Sequence, residues 1–284
     1  FQSRVDSVNS QIGFWSDSYL GQRKDSTAVQ GVVPIVGSAD VKTVLQADNW
    51  ISFSDSVIGS GSIEVYPFTA GQSVGINNSS GDFEVYHLNN LASTFSSVII
   101  GDNTNTNGIV SSDPEQAFSV NSPITFQAGA GTLKFTNTLT TGGVDVTFEV
   151  SGDSNVTDLD LGAGGIIKNG SGKLSLGGVK SFTGDTTVNA GTLESVGTAM
   201  SSDVSVADGA TYEINLVAAA DSATYSKIIS GEGSFVKSGA GDLTFDQVHT
   251  YTGSTSISGG TLKTSGSGSL GSSTALSVAS GATY

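Results

Sequence analysis

The stretch from Gly164 to Leu193 occurs twice in this chain. Sixty-nine residues downstream its pattern returns without a gap: Lys168 pairs with Lys237, Gly170 with Gly239, Gly172 with Gly241, Leu174 with Leu243, and Leu176 with Phe245. Val179 then pairs with Val248, Phe182 with Tyr251, Thr183-Gly184 with Thr252-Gly253, Val188 with Ile257, and Gly191-Thr192-Leu193 with Gly260-Thr261-Leu262. Twelve of the thirty aligned positions are identical, and most of the others exchange like for like. Val206 to Tyr212 recurs as Val278 to Tyr284 at an offset of 72, which places three inserted residues in a loop. Such a chain is a stack of repeated units, each burying its apolar side on its neighbours.

The local periodicity says what is stacked. Leu174-Ser175-Leu176, Thr187-Val188-Asn189, Val204-Ser205-Val206 and Leu276-Ser277-Val278 alternate apolar and polar residues, and Gly bounds these runs, the pattern of short strands. No stretch of the repeat keeps an i, i+3, i+4, i+7 apolar pattern over helical length. The offset divides into about three turns of a β-solenoid at roughly 23 residues each. Inward positions then need apolar residues that stack on their own kind, and corners need residues tolerant of positive φ or close backbone approach.

The unit G-x-x-K-x-G-x-G-x-L-x-L … [FY]-T-G-x-T-x-[VI]-x-x-G-T-L resembles the passenger-associated repeat of bacterial autotransporters and related large secreted exoproteins, over roughly residues 162–284. Upstream, Leu91 to Gly101 followed by Gly108-Ile109-Val110 is similar to filamentous-haemagglutinin-type turns. The resemblance implies a right-handed parallel β-helix, exported across the outer membrane of a Gram-negative bacterium and often serving as an adhesin or its stalk. The fold class expected is all-β, a parallel β-helix of about 10 to 12 turns, and a rod about 50 Å long at the ~4.8 Å strand spacing.

Composition is in keeping with an ordered solenoid. Hydrophobic residues make up 37% and fall in alternating runs, too many and too regular for a solvated chain. The chain has no Cys, which excludes a disulfide framework and a Cys-based zinc site. A net charge of −15 repels phosphate backbones and anionic membranes, so nucleic acid is not an expected partner. No run approaches the ~20 apolar residues of a membrane helix, and Phe1-Gln2-Ser3-Arg4 does not open a signal peptide. The chain stops within its own repeat pattern and is read as a piece of a longer protein, with leader and anchor elsewhere.

Three regions follow in order: 1–31 as an end cap or linker, 32–161 as less regular solenoid turns, and 162–284 as the repeat-bearing solenoid. In the first, Val5 to Leu20 carries a weak amphipathic helical pattern, with Gly13 against a long helix. In the second, strands are expected at Val41 to Leu45, Trp50 to Phe53, Ser62 to Tyr66, Phe83 to Tyr86, Ser97 to Ile100, Ile124 to Phe126, Thr132 to Phe135 and Val144 to Phe148. Asn77 to Gly81 and Asp102 to Gly108 read as turns.

The search for chemistry yields no catalytic, cofactor-binding or metal-ligating residue. His87 and His249 are far apart in sequence and neither has a His-x-x-x-His or His-Glu neighbour, and His249, aligned with Lys180, reads as a solvent-facing turn residue. No Gly-x-Ser-x-Gly nucleophile elbow sits in a strand-turn-helix setting, and Gly170-Ser171-Gly172 and Gly239-Ala240-Gly241 read as corners. Lys168 and Lys237 read as lysines whose stems cover an apolar edge while the ammonium reaches solvent. Asp158-Leu159-Asp160 reads as a solvated strand face, the calcium-binding nonapeptide being absent. Trp50, Phe53, Tyr66, Phe68 and Tyr86 are candidate contacts for a carbohydrate or protein, with core or cap as the plainer reading.

Function is therefore expected to be non-catalytic: a β-helical stalk or passenger of a secreted surface adhesin, located at the bacterial cell surface. Its partners would be a host-cell or matrix protein or glycan, or other copies of itself. The alternatives are a self-associating extracellular or biofilm fibre, and a polysaccharide-active β-helix enzyme, against which the scarcity of clustered carboxylates and bases counts.

Overall fold

Where apolar and polar residues alternate, the chain forms strands, and every strand pair is parallel. In a computed structural model the described residues are 118–272 and 275–284, and upstream of them 12–13, 18–23, 27–29, 33–36, 42–47, 50–53, 57–59, 61–67, 69–76, 82–91, 93–104 and 107–111. Parallel neighbours need a crossover, and here the crossover is the rest of the turn: each strand pairs with the strand one turn away.

The turns build three faces. Among the described residues the first is a ten-stranded sheet, running from Ser18–Arg23 through Lys42–Ala47, Ser62–Pro67, Ser97–Gly101, Ile124–Gly129, Val146–Val150, Ile166–Asn169, Thr186–Val188 and Val204–Val206 to Ile229–Gly231. The second belongs to a fifteen-stranded sheet that includes Lys173–Leu176, Thr192–Val196, Thr211–Asn215, Ser234–Ser238, Thr255–Ile257 and Leu276–Val278. The long strands Leu133–Thr141 and Ser154–Gly162 bend from the second face onto the third, where Lys180–Phe182 pairs with the latter. Farther along, the third face is a separate sheet of Ser222–Tyr225, Asp242–Phe245 and Thr261–Thr264. The result is a parallel β-solenoid of about ten turns, one for each strand of the first face.

One side of each strand fills the interior. In Val146–Val150 the buried residues are Val146, Phe148 and Val150, while Thr147 and Glu149 face outward. Inward residues stack in ladders: Ile100, Phe126, Phe148, Lys168, Val188 and Val206 occupy one register column. Phe126 and Phe148 stack with ring centres 6.0 Å apart. A solenoid grows by adding such layers, so each turn depends on its two neighbours rather than on a distant core.

Turn length differs from the sequence expectation. Along the first face, steps of 20, 18 and 25 residues lead from Ile166 to Thr186, Val204 and Ile229. These three turns average 21 residues rather than 23. Lys168 is carried by these three steps to Gly231, and Lys237 lies six residues farther on, on the second face. The 69-residue repeat is three turns plus one face. Ile166–Asn169 therefore lies on the first face, while its repeat equivalent, within Ser234–Ser238, lies on the second.

Upstream, described strands occur at all the expected places from Lys42–Ala47 to Val146–Val150. The helix considered over Val5 to Leu20 is not formed where that stretch is described: Ile12–Gly13 and Ser18–Arg23 are strands, the latter paired with Lys42–Ala47. A neighbouring strand in register overrides a weak local helical preference. Asn77 to Gly81 lies outside the described residues.

Candidate functional site

The residues that the two repeats share point into the solenoid or sit at its corners. Leu174, Leu193, Leu243 and Leu262 are fully buried, as are the exchanged pairs Leu176/Phe245 and Val188/Ile257. Gly170 and Gly239 form equivalent corners with φ of 77° and 73°. An L-residue seldom adopts that geometry, and it turns the local carbonyls toward the interior. The repeat encodes how a turn closes.

Lys168 and Lys237 complete those corners, and here the solvent-reaching reading is corrected. Both are 0% exposed. Lys168 donates from Nζ to the carbonyls of Asn169, Gly170 and Ala190 at 2.8, 2.7 and 3.1 Å. Lys237 repeats the arrangement on Ser238, Gly239 and Gly259 at 2.7, 3.1 and 3.2 Å. Two carbonyls belong to the lysine's own corner and the third to the next turn. An ammonium has three donors, and all three are used. Burial pushes Lys168 down to about 8, still charged at neutral pH. The stem lies inward because strand alternation places it in the Phe148–Val188 column, and buried carbonyls demand a donor there.

His249 is corrected likewise. It is 2% exposed rather than solvent-facing, with its ring 3.9 Å from that of Phe245 and 5.9 Å from that of Tyr225. Its Nδ1 accepts the Ile229 N–H at 3.1 Å. The equivalent Lys180 instead donates to the carbonyls of Leu176, Gly177, Gly178 and Val196, at 3.2 to 3.4 Å. One repeat position thus carries a donor in the first copy and an acceptor in the second. The other histidine, His87, is exposed at the start of a short 3-10 turn, Leu88–Asn90.

Outward rows carry polar ladders. Lys173 bridges Glu194 at 3.0 Å and Glu213 at 3.1 Å, carboxylates on adjacent turns. Burial raises the Glu194 carboxyl, but hydrogen bonds from Ser175, Asn215 and Lys173 outweigh it and hold the group below its ordinary value. In the second repeat the same two positions carry Asp242 and Lys263, paired at 2.6 Å. The ion pair is kept with its charges reversed. That exchange at 173/242 and 194/263 is visible in the aligned repeats, as a reciprocal swap of sign. Lys173→Asp is expected to destabilise the first repeat by at least about 1 kcal/mol, the upper end for an exposed pair, because Lys173 is only partly exposed and Glu194 is buried. Adding Glu194→Lys should recover most of that loss, measured as amide protection on both turns.

A second row, on the first face, runs Gln127, Glu149, Asn169 and Asn189. Gln127 and Asn169 donate to Glu149 at 3.1 and 3.3 Å, and Asn189 donates to Asn169 at 2.9 Å. Asp158 accepts the Val179 N–H at 2.6 Å, Leu159 beside it is buried, and Asp160 is exposed. These bonds knit turns together rather than converge on a reacting point. Among the described residues no group of three His, Cys, Asp or Glu is placed to hold a metal ion. A shallow cavity of about 390 Å³ on the third face is lined by Met200, Ala223, Thr224, Ser226 and Lys227, among others, and gathers no acid–base pair.

Of the aromatic candidates, Phe53 is buried, and Tyr66 and Tyr86 are half-buried, with Tyr86 donating to Glu84. The side chains of Trp50 and Phe68 lie outside the described residues. Among the described residues, the exposed large hydrophobic side chains are Val179, Val217, Ile228 and Val248 in connections, and Leu276, Val278 and Tyr284 near the last strand. No helix among the described residues is long and apolar enough to cross a membrane.

Comparison with known proteins agrees with this architecture. A family model described as the passenger-associated transport repeat matches residues 166–194 and 235–263, the two segments that contain the lysine corners. The chain is similar to "Adhesin BmaC autotransporter" of Brucella suis biovar 1 (strain 1330), 34% identical over 118 residues. That alignment covers 41% of this chain and 4% of the relative, so it touches only a small part of a much longer protein. No solved structure matches the chain.

Proposed function

We propose that this chain, an autotransporter-type passenger β-solenoid, serves as a non-catalytic stalk of a large bacterial surface adhesin. The observation that carries this reading is where the shared residues go: both repeats keep their interior and corners, while the outward ion pair is free to reverse its charges. A ligand site repeated along the rod would instead hold its outward chemistry constant. The slip of one face per repeat works the same way, since equivalent outward positions look in different directions.

A stalk is located outside the cell and projects what lies beyond it. The right-handed winding belongs to the same reading, because a right-twisted strand favours that crossover. Its partner in this role is the remainder of its own chain. Host-cell or matrix proteins and glycans meet the adhesin elsewhere.

The test is adhesion by beads coated with this segment, beside bacteria carrying the full passenger with residues 32–284 deleted or replaced by an unrelated solenoid of equal turns. The expected result is bead binding at background, reduced adhesion on deletion, and recovery with the replacement. Specific binding of coated beads to host cells, matrix protein or glycan would overturn the stalk reading and make this segment the adhesive surface.

A further inference from the structure

The paired position Lys180/His249 carries an inference beyond the stalk reading. His249 takes the backbone N–H of Ile229, across the interface between two turns, onto Nδ1. A ring nitrogen can accept only when unprotonated, so the single proton of the neutral ring is on Nε2, which is buried and has no partner. The ring lies among Tyr225, Phe245 and Tyr251, none of which carries charge in the acid range. The charged group acting on it is Asp246, at the same corner, whose Oδ2 accepts from Ser226 and whose Oδ1 is buried without a partner. On the neighbouring turn, the Asp203 carboxylate accepts the N–H of Ile228.

We propose that His249 is an acid-sensitive latch: neutral, it joins the turn of Ile229 to its own, and on protonation it turns a donor toward that N–H and opens the junction. The first repeat has no such sensitivity at this position. Lys180 binds carbonyls there, an interaction that needs its proton and keeps it in acid. Acid is therefore expected to loosen the rod at one turn in the second copy while the equivalent corner of the first holds.

The direction of the effect follows from burial. Desolvation lowers His249 from its ordinary value to about 4, with the Asp246 charge opposing. A free imidazole titrates near 6.5. Between these values the unfolded or opened chain binds a proton that the closed turn refuses. Stability supplied by the neutral ring is thus fully present above about pH 6.5 and is lost as pH falls toward 4, by roughly tenfold in the opening equilibrium per pH unit.

Amide hydrogen exchange on the intact segment, expressed as protection factors at pH 7 and pH 4.5, tests this. Protection at Ile229 and around 246–252 should fall by about a hundredfold, with 177–183 little changed. In His249→Asn, whose Oδ1 can take the same N–H but does not titrate, protection should be the same at both pH values, even if lower overall. An imidazole titrating near 6.5 in the folded protein, or an equal acid loss in His249→Asn, would overturn the latch.

Discussion

Replacing Lys168 or Lys237 with methionine is expected to lower the stability of the turns it joins by about 2–4 kcal/mol, as each substitution takes the ammonium from three part-buried carbonyls, of which Ser238's alone keeps a backbone donor, the Leu216 N–H. Methionine keeps the length and apolar character of the stem, so packing is largely preserved and the loss reports the ammonium. Removing the charge also removes its own desolvation cost, which keeps the figure below the sum of three charged hydrogen bonds. In a quasi-one-dimensional structure the damage should be local. Amide protection should drop on the lysine's turn and the next, and less so several turns away. The outer-surface control, Lys173→Met, should lose far less. A loss below about 1 kcal/mol for Lys168→Met would mean that water replaces the ammonium at these carbonyls.

Nearly as large an effect is expected from Gly170→Ala and Gly239→Ala. Both positions have φ near +75°, where an L-residue is strained. A Cβ at Gly170 would also overlap the Val150 carbonyl oxygen, and one at Gly239 the Leu216 carbonyl oxygen, both backbone atoms of the preceding turn. Neither can move without breaking its ladder. The expected cost is about 3 kcal/mol, seen as a lower urea midpoint and lost protection at that corner. Gly197 separates the two causes. Its φ is +76°, but nothing lies within 4 Å of a Cβ there, so Gly197→Ala should lose only about 1 kcal/mol. Equal losses at Gly170 and Gly197 would show that strain alone matters and that the close approach of turns does not.

Taken together, these residues explain the repeat as a closure device. The lysine, the positive-φ glycine after it and the Gly-Thr-Leu of the following turn form one corner. They are identical in both copies because each depends on the others. Outward residues answer only to their neighbours on the same row. Lys173–Glu194 and Asp242–Lys263 are two solutions of one pairing problem, and the solenoid accepts either.

Much of this closure is legible in the order of residues alone. The 69-residue echo implies a solenoid, alternation marks Leu174, Leu176, Val188 and Leu193 as interior, and the Gly-x-Gly segments are recognisable as corners. Two kinds of polar residue, the corner lysines and His249, defeat that reading for a common reason. Lys168 and His249 are types that usually sit outside, and only the neighbouring turn shows what awaits them within: inward carbonyls for one, an amide N–H for the other.

That turns repeat, which residues line their interior and where their corners bend are all written locally along the chain, because strand alternation and glycine's freedom at positive φ involve only near neighbours. The phase of the repeat is a property of the folded rod, which places the second copy three turns and one face beyond the first. Turns of 18 and 25 residues set that phase through the lengths of their loops, and a parallel ladder fixes which residue meets which only when the next turn is laid against it.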